Sequence, residues 1–198
     1  MATLKSIRTR IGSVTSTRKI TKAMKMVAAA RLKKAEDRAR ALRPYAARTR
    51  EVISSLAART DRTDFPLLAE REETRHVLLV VLTSDKGLCG AFNANVNRAA
   101  DTFIREKGPG ALGDDAETTI ESIKTSIVGR KGKTYFTQRS IPIERYYEDV
   151  LSDLHIEKAE LIGEDLIQDF TRQDLDAVYL VYNQYKSAMM QETVVEPL

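Results

Sequence analysis

Two glycine-rich stretches, one cysteine and two histidines are the places where this sequence could do chemistry. Gly87-Leu88-Cys89-Gly90 follows an apolar run and precedes a helical pattern, the setting in which free helix amides hold a phosphate. It lacks the third glycine and the G-x-G opening of the dinucleotide fingerprint, and no acidic residue follows a second strand about twenty positions on, so it reads as a tight structural turn. Gly129-Arg130-Lys131-Gly132-Lys133-Thr134 has the look of a phosphate loop. The first glycine of that motif would have to stand where Ile127 is, so the backbone cradle cannot form. Cys89 beside a helix start could be a mildly activated thiol, but a small buried filler is the simpler expectation. His76 and His155 lie in different elements with no Ser or Cys partner indicated, and no carboxylates pair at a recognisable spacing. No catalytic, cofactor-binding or metal site is expected, which leaves a binding or mechanical role.

The elements that carry these residues alternate. His76 to Thr83 is a short, β-branched, almost continuous apolar run, as in a strand buried on both faces of a parallel sheet. Phe92 to Lys107 has helical spacing and stops at Gly108-Pro109-Gly110. Ile120 to Gly129 is a second strand, Lys131 to about Arg139 a short helix, and Ile143 to Tyr147 a third strand after Pro142. Ile156 to Phe170 is a helix with Ile156, Ala159, Ile162 or its neighbour Leu161, Leu166, Ile167 and Phe170 on its apolar side. Ala177 to Tyr185 is a strand, and Met190 to Val195 pairs with it as a hairpin or edge strand. Strand–helix alternation predicts a compact α/β domain over 76–198, a largely parallel sheet with flanking helices.

The first 59 residues are different. Leu4, Ile7, Ile11 and Val14 put four branched apolar side chains on one helix face, and from Ala23 on the chain is mostly Ala, Arg, Lys, Leu, Met and Glu, good helix formers. Some 50 helical residues make a rod of roughly 75–80 Å. Its stripe resumes at Ile20, Met24 and Val27, thins over the alanine-rich stretch 28–41, and returns at Leu42, Tyr45, Val52 and Leu56. The step from Val14 to Ile20 breaks the heptad and shifts the stripe's face. A long helix cannot hide such a stripe alone, so it needs a second helix or a sleeve. Pro44 removes an amide at a cost of about 3 kcal/mol and predicts a kink over Ala41–Pro44 with helix resuming at Tyr45. Thr60-Asp61-Arg62-Thr63-Asp64-Phe65-Pro66 ends the rod, which makes 60–75 a linker.

Charge divides the chain the same way. Residues 1–59 hold sixteen Lys or Arg against Glu36, Asp37 and Glu51, a net of +13, which leaves −9 on the remainder to reach the chain's +4. So one-sided a rod faces something acidic, either nucleic acid or an acidic protein surface. No apolar run reaches the roughly 18 residues of a spanning helix, and the N-terminus lacks a signal peptide's apolar block, so direct membrane insertion is not expected. The lone cysteine excludes an internal disulfide and agrees with a reducing compartment.

Ile20-Thr21-Lys22-Ala23-Met24-Lys25-Met26-Val27-Ala28-Ala29, Arg43-Pro44-Tyr45, and Thr83-Ser84-Asp85-Lys86-Gly87-Leu88-Cys89-Gly90-Ala91-Phe92-Asn93 together resemble the γ subunit of the F-type ATP synthase, in the same order along the whole chain. The resemblance implies a non-catalytic rotor shaft. The N-terminal helix would lie in an antiparallel coiled coil inside a hexamer of α and β subunits, and the α/β domain would stand at the foot against the ε subunit and the membrane ring of c subunits. Lys19, Lys22, Ala23, Met24, Lys25 and Val27 would meet an acidic lever loop on β. The complex would sit peripherally on the cytoplasmic face of a bacterial inner membrane, or on the matrix side of a mitochondrial one, with chemistry on β. Members of this family continue into a long C-terminal helix, whereas this sequence stops at Glu196-Pro197-Leu198, so either the chain is truncated or the sequence represents only part of it. A lone Cys89, without the cysteine pair of chloroplast members, places it with bacterial or mitochondrial types. The competing reading is a nucleic-acid-binding protein with a basic coiled-coil arm. It predicts Arg and Lys clustered opposite the stripe with polar base readers among them, whereas alanine-rich packing is what the sequence offers.

Overall fold

The computed structural model describes residues 3–61, 65–68, 71, 73–109, 120–151 and 155–198. Within the expected linker, residues 62–64, 69–70 and 72 lie outside the described residues, as does Gly110. The chain divides into two compact units, Met1–Asp61 and Arg62–Leu198.

The first unit is one helix, α1, Leu4–Ala57. Its 54 residues span about 81 Å at 1.5 Å per residue. Thr3 caps it, its hydroxyl accepting from the Ser6 amide at 3.4 Å, so one of the four orphan donors at the helix start has a partner. Helix continues without a break through Ala41, Pro44 and Tyr45, against the expected interruption. The alanine, arginine and leucine neighbours of Pro44 are among the best helix formers, and together they outweigh a single missing amide bond. No residue of α1 is buried, and its large apolar side chains all face solvent.

The second unit is an α/β sandwich. Its elements are β1 His76–Leu82, α2 Phe92–Lys107, β2 Ser122–Val128, α3 Arg130–Gln138, β3 Arg145–Tyr147, α4 Ile156–Thr171, β4 Ala177–Tyr185 and β5 Gln191–Pro197. They form one five-stranded sheet in the order β3-β2-β1-β4-β5. The first four strands are parallel and β5 returns antiparallel from β4. β1 is central, and Val77 to Val81 are buried throughout because both faces are covered. The two-residue alternation of a strand sends Leu78 and Val80 to one core, with Val128, Tyr147, Leu166 and Leu175. Leu79 and Val81 point to the other, with Val96, Ala100, Ile127 and Phe136. α4 therefore covers one face, and α2 and α3 the other.

Three details refine the expected pattern. On α4, Leu166 is buried and Ile162, one turn before it, packs against the same core, while Ile156, Leu161 and Ile167 are exposed. His76 does have a serine partner: its Nδ1 lies 2.9 Å from Ser122 Oγ, directly across the β1–β2 register. That pair stands at the start of both strands, at the opposite end of β1 from the glycine turn, and holds the strands in register. β3 is tied to α4 by polar groups: Arg145 Nη2 donates to Asp169 Oδ1 at 2.9 Å, a second contact joins Nη1 to Oδ2, and Tyr147 Oη donates to Asp165 Oδ2 at 2.8 Å.

Candidate partner surface and glycine turn

The segment Lys19 to Val27 lies on α1 with every side chain exposed. At 100° per residue, Lys19, Lys22, Ala23, Met24, Lys25 and Val27 point in directions spread around the whole helix. They do not share a face, so one flat partner cannot touch them all, whereas a surrounding sleeve can. Ile20, Met24 and Val27 form a compact apolar patch, and Lys22 and Lys25 point well away from it. No acidic residue precedes Glu36, so the first half of α1 has no carboxylate of its own to neutralise these cations. Further along, Lys33 pairs with Asp37 at 3.7 Å and Arg48 with Glu51 at 2.8 Å, exposed pairs worth a few tenths of a kcal/mol.

The glycine turn is built differently from the buried filler expected at Cys89. Leu88 at φ 64° and Gly90 at φ 60° both take left-handed backbone, which swings the turn outward past the end of β1. Cys89 is consequently exposed, and Leu88 at the tip is 94% exposed. Asn93, on the first turn of α2, gathers the turn beneath them. Its Oδ1 accepts from the Ser84 amide at 2.9 Å, and its Nδ2 donates to Ser84 Oγ at 2.9 Å and to Cys89 Sγ at 3.0 Å. Gly87 sits in ordinary space, its nearest neighbour Lys131 Cε at 3.9 Å from an added Cβ.

Beneath the turn, the second glycine stretch finds its use. Thr83 is fully buried; its hydroxyl donates to Val128 O at 2.9 Å and accepts from the Gly132 amide at 2.8 Å. Asp85 Oδ1 accepts from the Arg130 amide at 3.0 Å, and Ser84 O from the Lys131 amide at 3.1 Å. The first amides of α3 are thus occupied by the chain's own oxygens, which removes the donors a phosphate would need. Gly129, at φ 91°, passes so close to β1 that a Cβ there would lie 1.9 Å from Thr83 O. The glycines are spaced for this crossing. Thr83, Asp85, Gly129 and Gly132 form a lock between the ends of β1 and β2 that the sequence reading missed. Its one local sign is a glycine at each end of a basic tetrapeptide.

Ionisation within the unit is shifted mainly at the β3–α4 junction. The hydrogen bond to Asp169, above all, raises Arg145, and that same bond holds the Asp169 carboxyl below its ordinary value. Burial, then the hydrogen bond to Asp165, pushes Tyr147 up to about 12. These groups fasten an edge strand and are remote in sequence from both the turn and α1. Among the described residues, no group of three His, Cys, Asp or Glu side chains gathers to hold a metal ion, and no helix is long and apolar enough to cross a membrane.

The family model for ATP synthase matches residues 3–198. The ATP synthase gamma chain of Sorangium cellulosum is 42% identical over 100% of this chain and 66% of its own length. That of Chlorobium phaeobacteroides is 44% identical over 96% of this chain and 62% of its own. The chain thus spans less than two thirds of the length of these relatives. Among solved structures, the Tetrahymena thermophila mitochondrial ATP synthase central stalk and c ring matches with a TM-score of 0.54 at 21% identity, over 74% of this chain and 58% of that one. The rotor of the Euglena gracilis mitochondrial enzyme matches with 0.55 at 17% identity, over 96% of this chain and 60% of that one. At those identities the likeness concerns the fold. The sequence match, nearly end to end, carries the assignment: the chain belongs to the ATP synthase gamma family.

Proposed function

We propose that this protein is the non-catalytic shaft and foot of a rotary, proton-translocating F-type ATP synthase, carrying torque between a membrane ring of c subunits and a hexamer of α and β subunits. The observation that carries the reading is α1 itself: a helix of 54 residues with no buried side chain, an exposed apolar stripe and a net charge of +13 over residues 1–59. A helix of that kind gains its stability from what surrounds it. In this reading α1 is one strand of a coiled coil inside the hexamer, residues 60–75 are the linker, and the 76–198 domain is the foot, which meets the ε subunit and the c ring. The complex is peripheral to the membrane, on the cytoplasmic face in a bacterium or the matrix side in a mitochondrion.

Lys19, Lys22, Ala23, Met24, Lys25 and Val27 are the contact segment to the hexamer. Their directions all round the helix suit a partner that encloses the rod, and their cations suit acidic loops on it. Such a shaft works by differential contact. Each orientation presents a different set of these side chains to a given β subunit, and only contacts that differ between β conformations shift that subunit's nucleotide affinity. The protein itself supplies no catalytic group, cofactor or metal ligand. Nucleic acid is a poorer fit, because the alanine-rich composition of α1 over 28–41 suits close helix packing and few polar base readers stand among its Lys and Arg.

The test is co-expression of this chain with α and β subunits, followed by size exclusion. One assembly with a single copy per three α and three β is expected. If none forms, and none forms when a relative's C-terminal helix is fused after Leu198, the shaft reading is overturned.

A further inference from the structure

A strict heptad frame that starts at Leu4 and Ile7 does not end at Val14. Carried on in steps of four and three, it reaches Leu56 and meets Ala28, Leu32, Leu42 and Ile53 on the way. Along that line the core positions are apolar or small, apart from Arg18 and Lys25, which are charged, and the threonines Thr21 and Thr49. Arg18 and Lys25 stand one heptad apart, both at the position equivalent to Leu4. The break in the apolar stripe after Val14 is therefore a charged window in a seam whose register continues. Ile20, Met24 and Val27 lie about 100° from the seam at this level, so they mark a second surface.

We infer that the helix occupying this seam carries two carboxylates seven residues apart, which face Arg18 and Lys25 and fix its register. The inference rests on the reading of α1 as one strand of a coiled coil and names the chemistry of the other strand. A side chain at such a core position is enclosed by four residues of the facing helix. A cation enclosed there needs a counter-charge. α1 supplies none: its first acidic residue is Glu36, eleven positions beyond Lys25, and both cations are exposed in the free helix. Turning away from the seam is no remedy, because Lys22 stands four residues after Arg18 and three before Lys25, and like charges at those spacings repel. Acidic loops of an enclosing hexamer could neutralise a cation only on the outward side of the rod, so a cation held inside the seam takes its counter-charge from the occupant. Charge pairs confined to one heptad of an otherwise apolar and alanine-lined seam also select one alignment out of several that would bury similar area, the best-attested use of polar groups in coiled-coil cores.

The test uses the full chain and four synthetic helices of about 35 residues with an alanine and leucine heptad seam. The first carries Glu at two core positions one heptad apart, the second Gln at both, the third Leu at both. The fourth has Leu in the core and the same two Glu moved to outward positions, which keeps the net charge of the first. Affinities are measured by fluorescence anisotropy at low and moderate salt. The core-Glu helix is expected to bind at least tenfold more tightly than the Gln and outward-Glu helices, and Arg18→Leu with Lys25→Leu should shift the preference to the Leu helix. Equal affinity of the core-Glu and outward-Glu helices overturns the inference and leaves the coiled-coil reading standing. Failure of all four to bind overturns both. Dimerisation of the chain alone at the same concentrations, seen by sedimentation, makes a second copy the occupant and likewise overturns it.

Discussion

Replacing Gly129 by alanine tests whether the lock beneath the glycine turn holds the α/β unit together. Gly129 has φ 91° and ψ 143°, a region that residues with a Cβ enter at a cost of about 1–3 kcal/mol. Steric overlap adds to this: the new methyl would lie 1.9 Å from Thr83 O and 2.6 Å from Thr83 C. Both are backbone atoms at the end of the central strand, so no rotamer change relieves the clash. Relief requires the ends of β1 and β2 to part, which loosens the Thr83 amide bond to Val128 O at 2.8 Å and the hydroxyl bond to the same carbonyl at 2.9 Å. Each such bond is worth about 1 kcal/mol. The combined loss is about 3–5 kcal/mol, a large part of the roughly 5–15 kcal/mol that holds a domain folded. Urea unfolding followed by tyrosine emission isolates this unit, since Tyr45 is the one tyrosine of seven outside it. With a slope of about 2 kcal/mol per molar, the midpoint should fall by about 2 M. Gly12→Ala is the control, because nothing lies within 4 Å of a Cβ at that point on α1, and it should leave this transition in place. A fall corresponding to less than about 1 kcal/mol for Gly129→Ala would refute the reasoning.

Other consequences are open to simpler tests. Gly132→Ala meets Ile127 Cγ2 at 2.7 Å and Thr83 Oγ1 at 2.8 Å, side chains rather than backbone and with no left-handed strain to add, so it should cost about 1–3 kcal/mol in the same assay, less than Gly129→Ala. Tyr147 is raised to about 12, above its unfolded value of about 10. Its contribution to stability is therefore complete below about pH 10 and lost between about 10 and 12, and Tyr147→Phe should flatten that part of the stability profile. Asp169 is held low, so its contribution is present above about pH 4 and lost as pH falls through its folded value. Asp169→Asn should lower neutral-pH stability and weaken the acid dependence. Cys89 should react with Ellman's reagent in the native chain without denaturant, whereas labelling that waits for unfolding would contradict its exposure. In an assembled complex, Met24→Asp should lower coupled ATP synthesis by placing a carboxylate against acidic loops, and unchanged synthesis would remove Met24 from the contact segment.

Periodic features were legible in the sequence and tertiary ones were not. The extent of α1, the order of strands and helices and the bounds of β4 follow from repeats of 3.6 and 2 residues, which a sequence displays directly. Pro44 misled because its local penalty is known, while the cooperative strength of the helix around it is not written at any one position. Cys89 misled because the left-handed backbone that exposes it belongs to Leu88, a residue type that rarely takes it. The lock needed knowledge of which strand lies beside β1. Gly129 and Gly132 make sense only once Thr83 is known to stand against them, and a failed phosphate-loop pattern was all the sequence could offer. On α4, Leu161 and Ile162 are equivalent by composition, and only the direction of the sheet chooses Ile162. The contact segment proposed on α1 was picked out by resemblance, and the geometry adds that its members surround the helix.

The register that pairs Val77 with Ala177 and Val81 with Val181 also sets a timetable for synthesis. β1 is translated first of the strands yet lies in the middle of the sheet, between β2, which follows about 45 residues later, and β4, about 100 residues later. At about 5–20 residues per second, the apolar run of β1 waits roughly 5–20 s for its second neighbour. Through that interval it is an open template for any other extended chain nearby. The hazard in making this protein thus belongs to a moment rather than to a surface: the finished sheet buries Val77 to Val81 of β1, and slower translation between β2 and β4 would lengthen the exposure without altering a single native contact.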